Sequence, residues 1–198
     1  MAIHLLCASK KPMSAHQLHR MLGVTYRSAW FMAHRLRHAM KDDAMGLSGI
    51  IEVDETYVGG PRRRRVGRPG PNDAVKTPIM ALVERGERVI TDDLNVYHAT
   101  SLGYQHDTIN HSRKEYVRGD VHTNTVEGFF GLLKRGIIGS FHHVSKGHLG
   151  RYVDEFAFRY NNRAVSDGAR AGLLISQTEG KRLTYREPKT APEGSANA

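Results

Sequence analysis

Gly49-Ile-Ile-Glu-Val-Asp-Glu-Thr-Tyr-Val-Gly-Gly60 is a run of β-branched and aromatic residues closed by two glycines, and it reads as a strand ending in a turn. Its carboxylates interrupt an otherwise apolar stretch. A buried carboxylate must be paired, hydrogen-bonded or bound to a metal, whereas one at a strand end can stand in water. Asp54 is open to both readings. Downstream, Thr77 to Glu84 is a second strand, Arg85-Gly86 a turn, and Arg88 to Thr91 a short third strand running into Asp92 and Asp93. An antiparallel meander is the expected arrangement. Asp107 to His111 is a further short strand, and Asn124 to Ile138 and Lys146 to Arg163 are helices. In the last, Leu149, Tyr152 or Val153, Phe156 and Tyr160 make a stripe of core type.

Upstream of the first strand, residues 14 to 42 read as two helices around a glycine turn. Ser14 caps the first, with Gln17 as its capping-box partner, and Ala15, Leu18 and Leu22 recur on one face. Gly23 supplies the turn. In the second helix Ala29, Ala33, Leu36 and Met40 keep helical spacing, and Arg27, Arg35 and Arg37 are expected on the remaining surface. Such a pair suits a helix-turn-helix, with Tyr26, Arg27, Ser28 and Trp30 at base edges. It equally suits an αα-hairpin with solvated arginines.

Between the first two strands, Arg62, Arg63, Arg64, Arg65, Arg68 and Lys76 lie among prolines and glycines, a composition that reads as a mobile basic loop. Four successive arginines suit phosphate contact, or form a solvated charge run. The whole chain is basic. Over 198 residues, 29 Lys and Arg against 20 Asp and Glu give +9, and the pI is 9.8, which points towards a polyanion such as nucleic acid. One cysteine excludes an internal disulfide and a thiolate-rich zinc site within these residues, and fits a reducing cytoplasm. No apolar run reaches the ~18 residues of a membrane span, so a soluble chain without membrane contact is expected.

Glu127 can be placed on its helix. Val126, Phe130, Leu133 and Ile137 form the apolar set, while Glu127, Gly131 and Lys134 recur at i, i+4 and i+7 on another face. Carboxylate and amine project the same way, about 10 Å apart along the axis at 1.5 Å per residue, with little bulk at Gly128 and Gly131. A sugar-phosphate backbone could approach there; an exposed polar stripe would look the same. Asp92, beside Asp93, reads as a ligand or as a loop and capping residue. Carboxylates gathered from distant parts of a chain are what two-metal phosphoryl transfer requires. The histidines have no reliable ligand spacing, although His122 lies within the stretch around Glu127.

Five motifs together carry a resemblance. Val-Asp-Glu-Thr-Tyr-Val-Gly-Gly (53–60), Thr-Asp-Asp (91–93), Ile-Asn-His-Ser (109–112), His-Thr-Asn-Thr-Val-Glu-Gly-Phe-Phe-Gly-Leu-Leu-Lys-Arg-Gly (122–136) and Arg-Tyr-Val-Asp-Glu-Phe-Ala-Phe-Arg-Tyr-Asn (151–161) resemble the bacterial insertion-sequence transposases with a DDE-type, ribonuclease-H-like core. Ala-Trp-Phe-Met (29–32) is similar to their DNA-binding region, so the likeness runs from about Ser14 to Arg163. It implies an α/β fold with a ribonuclease-H-like mixed sheet flanked by helices and a small helical DNA-binding unit. The expected divisions are a helix-turn-helix segment at 1–46, a catalytic domain at 47–177 and a disordered tail at 178–198.

The resemblance also implies roles. Asp54 and Asp92 would be the first and second metal-binding aspartates and Glu127 the third acidic group, with Asn124, one turn earlier, as the other candidate. Lys134 would contact DNA near the reacting phosphate, with Arg135 beside it. The cofactor would be Mg²⁺, for which Mn²⁺ substitutes, and the partners double-stranded DNA and further copies of the chain in a synaptic complex in the bacterial cytoplasm, at the nucleoid. The expected reaction is hydrolysis at the element's ends and attack by the freed 3′-hydroxyl on target DNA.

Two features depart from that pattern. Family members usually begin with a cysteine-rich zinc-binding segment, and this chain starts within or just before the hairpin. Only 38 positions separate Asp54 from Asp92, where a longer third strand and a helix should intervene. If Arg88 to Thr91 pairs with the second strand as a hairpin, Asp92 lies two strand spacings, about 9.6 Å, from the first strand. Five residues of extended chain reach ~16 Å, enough to cross to the other side. A nuclease that does not join strands would carry the same residues, as would an inactive DNA-binding remnant.

Overall fold

The computed structural model describes residues 1–9, 11–41, 51–59, 76–84, 89–92, 106–109 and 122–185. In chain order the elements are α1 (Ala2–Ala8), α2 (Ala15–Leu22), α3 (Tyr26–Ala39), β1 (Ile51–Val58), β2 (Thr77–Glu84), β3 (Val89–Asp92), β4 (His106–Ile109), α4 (Asn124–Gly136), a π-helical turn (Ile137–Phe141), α5 (Lys146–Asn161) and α6 (Asp167–Gln177). They fall into two units, 1–41 with 157–198, and 42–156.

The helical unit begins with two capped helices. Ser14 Oγ accepts from Gln17 N at 3.2 Å to open α2, and Thr25 Oγ1 accepts from Ser28 N at 3.1 Å to open α3. Gly23, at φ 66, closes α2 in the left-handed region, and its N–H reaches His19 O at 3.0 Å. Leu18, Ala29, Ala33, Leu36 and Met40 are buried, as the helical spacing requires. Arg37 is a correction to the expected surface arginines. Its side chain is 1 % exposed and Nη2 donates to Met13 O at 3.3 Å, because its position turns inward beside Leu36 while its head finds a carbonyl.

The core of this unit is completed from the far end of the chain. Phe158 on α5 and Leu174 on α6 join Leu6, Cys7, Leu18, Ala29 and Ala33 in one apolar cluster. Arg170 links α6 to its surroundings, donating to Cys7 O at 2.8 Å, Asn162 O at 3.0 Å and Val165 O at 3.0 Å. Helices α1 and α6 were not expected, and residues 157–177 pack with α1–α3 where sequence reasoning placed them with the strands. Part of the expected tail is also placed. Lys181 Nζ donates to Ala39 O at 3.2 Å and to Lys41 O, and the Tyr185 ring packs on Arg27 and Phe31. Residues 186–198 lie outside the described residues.

The second unit is mixed α/β. Its sheet has the order β2-β1-β3-β4, with β2 antiparallel to β1, β3 parallel to β1, and β4 parallel to β3. The antiparallel meander is therefore corrected: β3 lies on the far side of β1 from β2. This order keeps β1, with Ile51, Glu52, Val53 and Thr56 buried, inside the sheet and leaves the more exposed β2 at its edge, where a hairpin of β2 with β3 would do the reverse. Glu84 and Val89 both stand opposite Ile51, on its two sides, so the connection crosses about 9.6 Å, within the ~16 Å that five extended residues reach.

Helix α4 packs on one face of this sheet. Alternation puts Glu52, Asp54 and Thr56 on the same face as their β2 partners Val83, Ala81 and Ile79. Glu52 touches α4, so this is the helix side. Val126, Phe129, Phe130, Leu133 and Ile137 are buried, including the full apolar set expected from the spacing.

Candidate functional site

The acidic residues gather around β1 and the start of α4. Glu52, on β1, is 0 % exposed. Its Oε2 accepts from the backbone N–H of Thr125 at 2.8 Å and of Val126 at 3.0 Å, and its Oε1 accepts from Thr125 Oγ1 at 2.7 Å. His122 Nδ1 stands 3.5 Å from Oε1. Sequence reasoning passed over this residue, although a carboxylate at an inward position of an apolar strand was the signal. Between Glu52 and Glu55, only the partner across the fold tells which one is buried.

Asp54 lies two residues further along the same face and is half-buried, with Oδ1 accepting from Glu55 N at 2.8 Å. Thr91 on β3 is paired with Val53, so Asp92 follows in its strand as Asp54 follows in β1. The register sets the two aspartate backbones about one strand spacing apart, ~4.8 Å, in place of the two spacings of a hairpin. Of Asp92 the strand position alone is described.

Glu127 lies in the first turn of α4. It is exposed, and Thr123 Oγ1 donates to its Oε1 at 3.1 Å. Asn124, one turn earlier, is exposed too, as are Lys134 and Arg135 further along, so these four residues share the solvent side of α4. A Cβ built at Gly128 would meet nothing within 4 Å, and at Gly131 only the Arg135 guanidinium at 3.7 Å, so the helix surface between acid and base is open. All the candidate ligands are oxygen donors, which suits Mg²⁺, a cation held by one or two carboxylates with water and phosphate oxygens. Among the described residues no group of three or more His, Cys, Asp or Glu side chains is disposed to share a metal ion.

The candidate DNA readers sit on the helical unit. Tyr26 is 44 % exposed and stacks on His16 at 4.3 Å between centroids. Arg27 and Ser28 are exposed on the first turn of α3. Arg27 Nε donates to Tyr185 Oη at 3.1 Å, with its guanidinium 4.6 Å from that ring's centroid. Trp30 is half-buried against His34, their centroids 4.1 Å apart. Arg62, Arg63, Arg64 and Arg65 lie outside the described residues. No helix among the described residues is long and apolar enough to cross a membrane.

With this geometry in place, residues 81–161 match the ISXO2-like transposase domain family. The match takes in Asp92, Asn124, Glu127 and Lys134 and leaves Asp54 and the α2–α3 hairpin outside. The chain is also similar to an uncharacterized protein in the transposable element ISH50 of Halobacterium salinarum, with 26 % identity over 188 residues, covering 74 % of this chain and 64 % of that protein. The chain thus spans less than two thirds of that relative. No solved structure matches it.

Proposed function

We propose that the chain is a DDE-type transposase that cuts the ends of an insertion sequence and joins them to target DNA with Mg²⁺. The observation that carries this reading is the parallel pairing of β3 with β1, which brings the backbones of Asp54 and Asp92 to neighbouring strands in register. One antiparallel and two parallel neighbours, in the order β2-β1-β3-β4, also support a ribonuclease-H-like sheet. Asp54, Asp92 and Glu127 would hold the metal, with Asn124 as the other candidate for the third position. Bound there, Mg²⁺ supplies activation of the attacking oxygen and stabilisation of the leaving one.

The chain's own residues do the rest. Lys134 and Arg135 offer charge to a phosphate along the open side of α4. The capped pair α2–α3 serves as the helix-turn-helix, with Tyr26, Arg27 and Ser28 at the entrance of its second helix. Arg62, Arg63, Arg64 and Arg65 add phosphate contacts, and joining two ends calls for at least two copies of the chain.

The test is calorimetric Mn²⁺ binding with cleavage and joining of end-labelled DNA. Wild type is compared with Asp54→Asn, Asp92→Asn, Glu127→Gln and Asn124→Ala, each checked for folding. Each aspartate change is expected to abolish the same Mn²⁺ event and both DNA products, and whichever of Glu127→Gln and Asn124→Ala does likewise identifies the third ligand. Mn²⁺ binding unchanged in Asp92→Asn overturns the reading. Cleavage without joining would make the protein a nuclease.

One observation favours a second reading, a DNA-binding remnant without catalysis. The connection from Glu84 to Val89 leaves no room for the third strand and crossover helix that a full ribonuclease-H-like sheet carries. Salt-dependent DNA binding with no cleavage at any Mn²⁺ concentration is its expected outcome.

A further inference from the structure

We propose that Glu52 is a positioning residue: from β1 it holds the start of α4, and with it Glu127, in fixed relation to Asp54. Helices α2, α3 and α6 are each opened by a neighbouring hydroxyl, from Ser14, Thr25 and Ser166. Helix α4 is opened differently. Its N-cap Thr123 makes no capping bond of that kind and gives its hydroxyl to Glu127, while the N–H groups of Thr125 and Val126 turn to a carboxylate on a strand more than seventy residues earlier.

A local hydroxyl would satisfy those N–H groups at a smaller desolvation cost than a fully buried carboxylate. What a strand residue adds is a fixed distance. Two N–H groups and the Thr125 hydroxyl meet the two oxygens of Glu52, a set that defines both the height and the rotation of the first turn over β1. The negative charge also faces the positive end of the helix dipole. Asp54 is two residues beyond Glu52, and Glu127 is one beyond Val126. One direct path between the two candidate ligands therefore runs along β1 and through the Glu52 carboxylate. Its part in metal binding rests on the function proposed above; its hold on α4 does not.

The experiment compares Glu52→Ala, Glu52→Asp and Glu52→Gln with wild type by amide hydrogen exchange at Thr125 and Val126 and by Mn²⁺ calorimetry. The amide of Gln can reproduce the bonds, its oxygen accepting from both N–H groups and its NH₂ donating to Thr125 Oγ1. Glu52→Gln is therefore expected to stay within about threefold of wild type in both measurements, since the three bonds to Thr125 and Val126 are kept and only the charge facing His122 is removed. Glu52→Ala, and Glu52→Asp should the former not fold, is expected to lose about tenfold or more in Mn²⁺ affinity, as loss of a group supporting a metal ligand does. In the same variants exchange at Thr125 and Val126 accelerates at least about tenfold.

Protected Thr125 and Val126 amides together with wild-type Mn²⁺ affinity in folded Glu52→Ala or Glu52→Asp would overturn the proposal. So would a loss in Glu52→Gln as deep as in Glu52→Ala, which would assign the effect to charge instead of placement. If wild type binds no Mn²⁺, the transposase reading fails by itself. The exchange rates then decide the hold on α4, faster exchange in the Ala or Asp variant upholding it and unchanged exchange overturning it.

Discussion

Glu52 and Asp54 stand two residues apart on one face of β1, and their surroundings give them different work. The first is wholly buried and committed to α4, while the second is half-buried, with its Oδ1 on the following backbone N–H. From the sequence the acidic residues of this strand look alike, because what separates them is the helix that arrives seventy residues later. The hydroxyl caps are the opposite case, legible because both partners are local. Thr25→Ala removes the bond to Ser28 N and is expected to cost about 1 kcal/mol in urea unfolding of the intact chain. Arg62→Ala to Arg65→Ala combined is expected to weaken DNA binding and to lower the log–log salt slope by up to about 0.9 per lost phosphate contact.

Among the elements, those with a cap and a sustained period were readable. Helices α2, α3 and α4 announce themselves through Ser14, Gly23 and stripes that the fold does bury. Helix α1 has no side-chain cap and only seven residues, so it is held by packing. Helix α6 carries Gly168 and Gly172, which lower its intrinsic propensity and masked the Ser166 cap. Strand β3 was recognisable as a strand, but four residues following Arg-Gly in the sequence say nothing about which edge they join. That choice depends on β4 and on the free side of β1.

The glycines of α4 belong to this scale. Gly128→Ala and Gly131→Ala place a methyl in open space or in ordinary contact, and each is expected to stabilise the chain by about 1 kcal/mol in thermal unfolding. If DNA lies along that side, the same changes reduce its affinity, which a filter-binding titration reads.

In the molecule as a whole, the helical unit is assembled from both ends of the described chain. Leu174 is 0 % exposed in the cluster formed with Leu6, Leu18 and Ala33, so Leu174→Ala is expected to destabilise that unit by roughly 2–5 kcal/mol. Amide exchange would show the loss in α1–α3. Loss confined to α6 would mean that the N-terminal helices hold together without it. This division was not legible in advance, because the stripes of α2 and α3 show which faces are apolar and not which distant helix covers them.

That closure has a consequence for the chain as it is made. The apolar faces of α1, α2 and α3 leave the ribosome ahead of Phe158 and Leu174, which help bury them and follow only after the entire strand-bearing unit has been translated. At ~5–20 residues per second the roughly 130 intervening residues take about 7 to 26 s. For that interval the nascent helices present Leu6, Leu18 and Met40 uncovered, so chaperone capture during synthesis should concentrate on the first forty residues and end when α6 emerges.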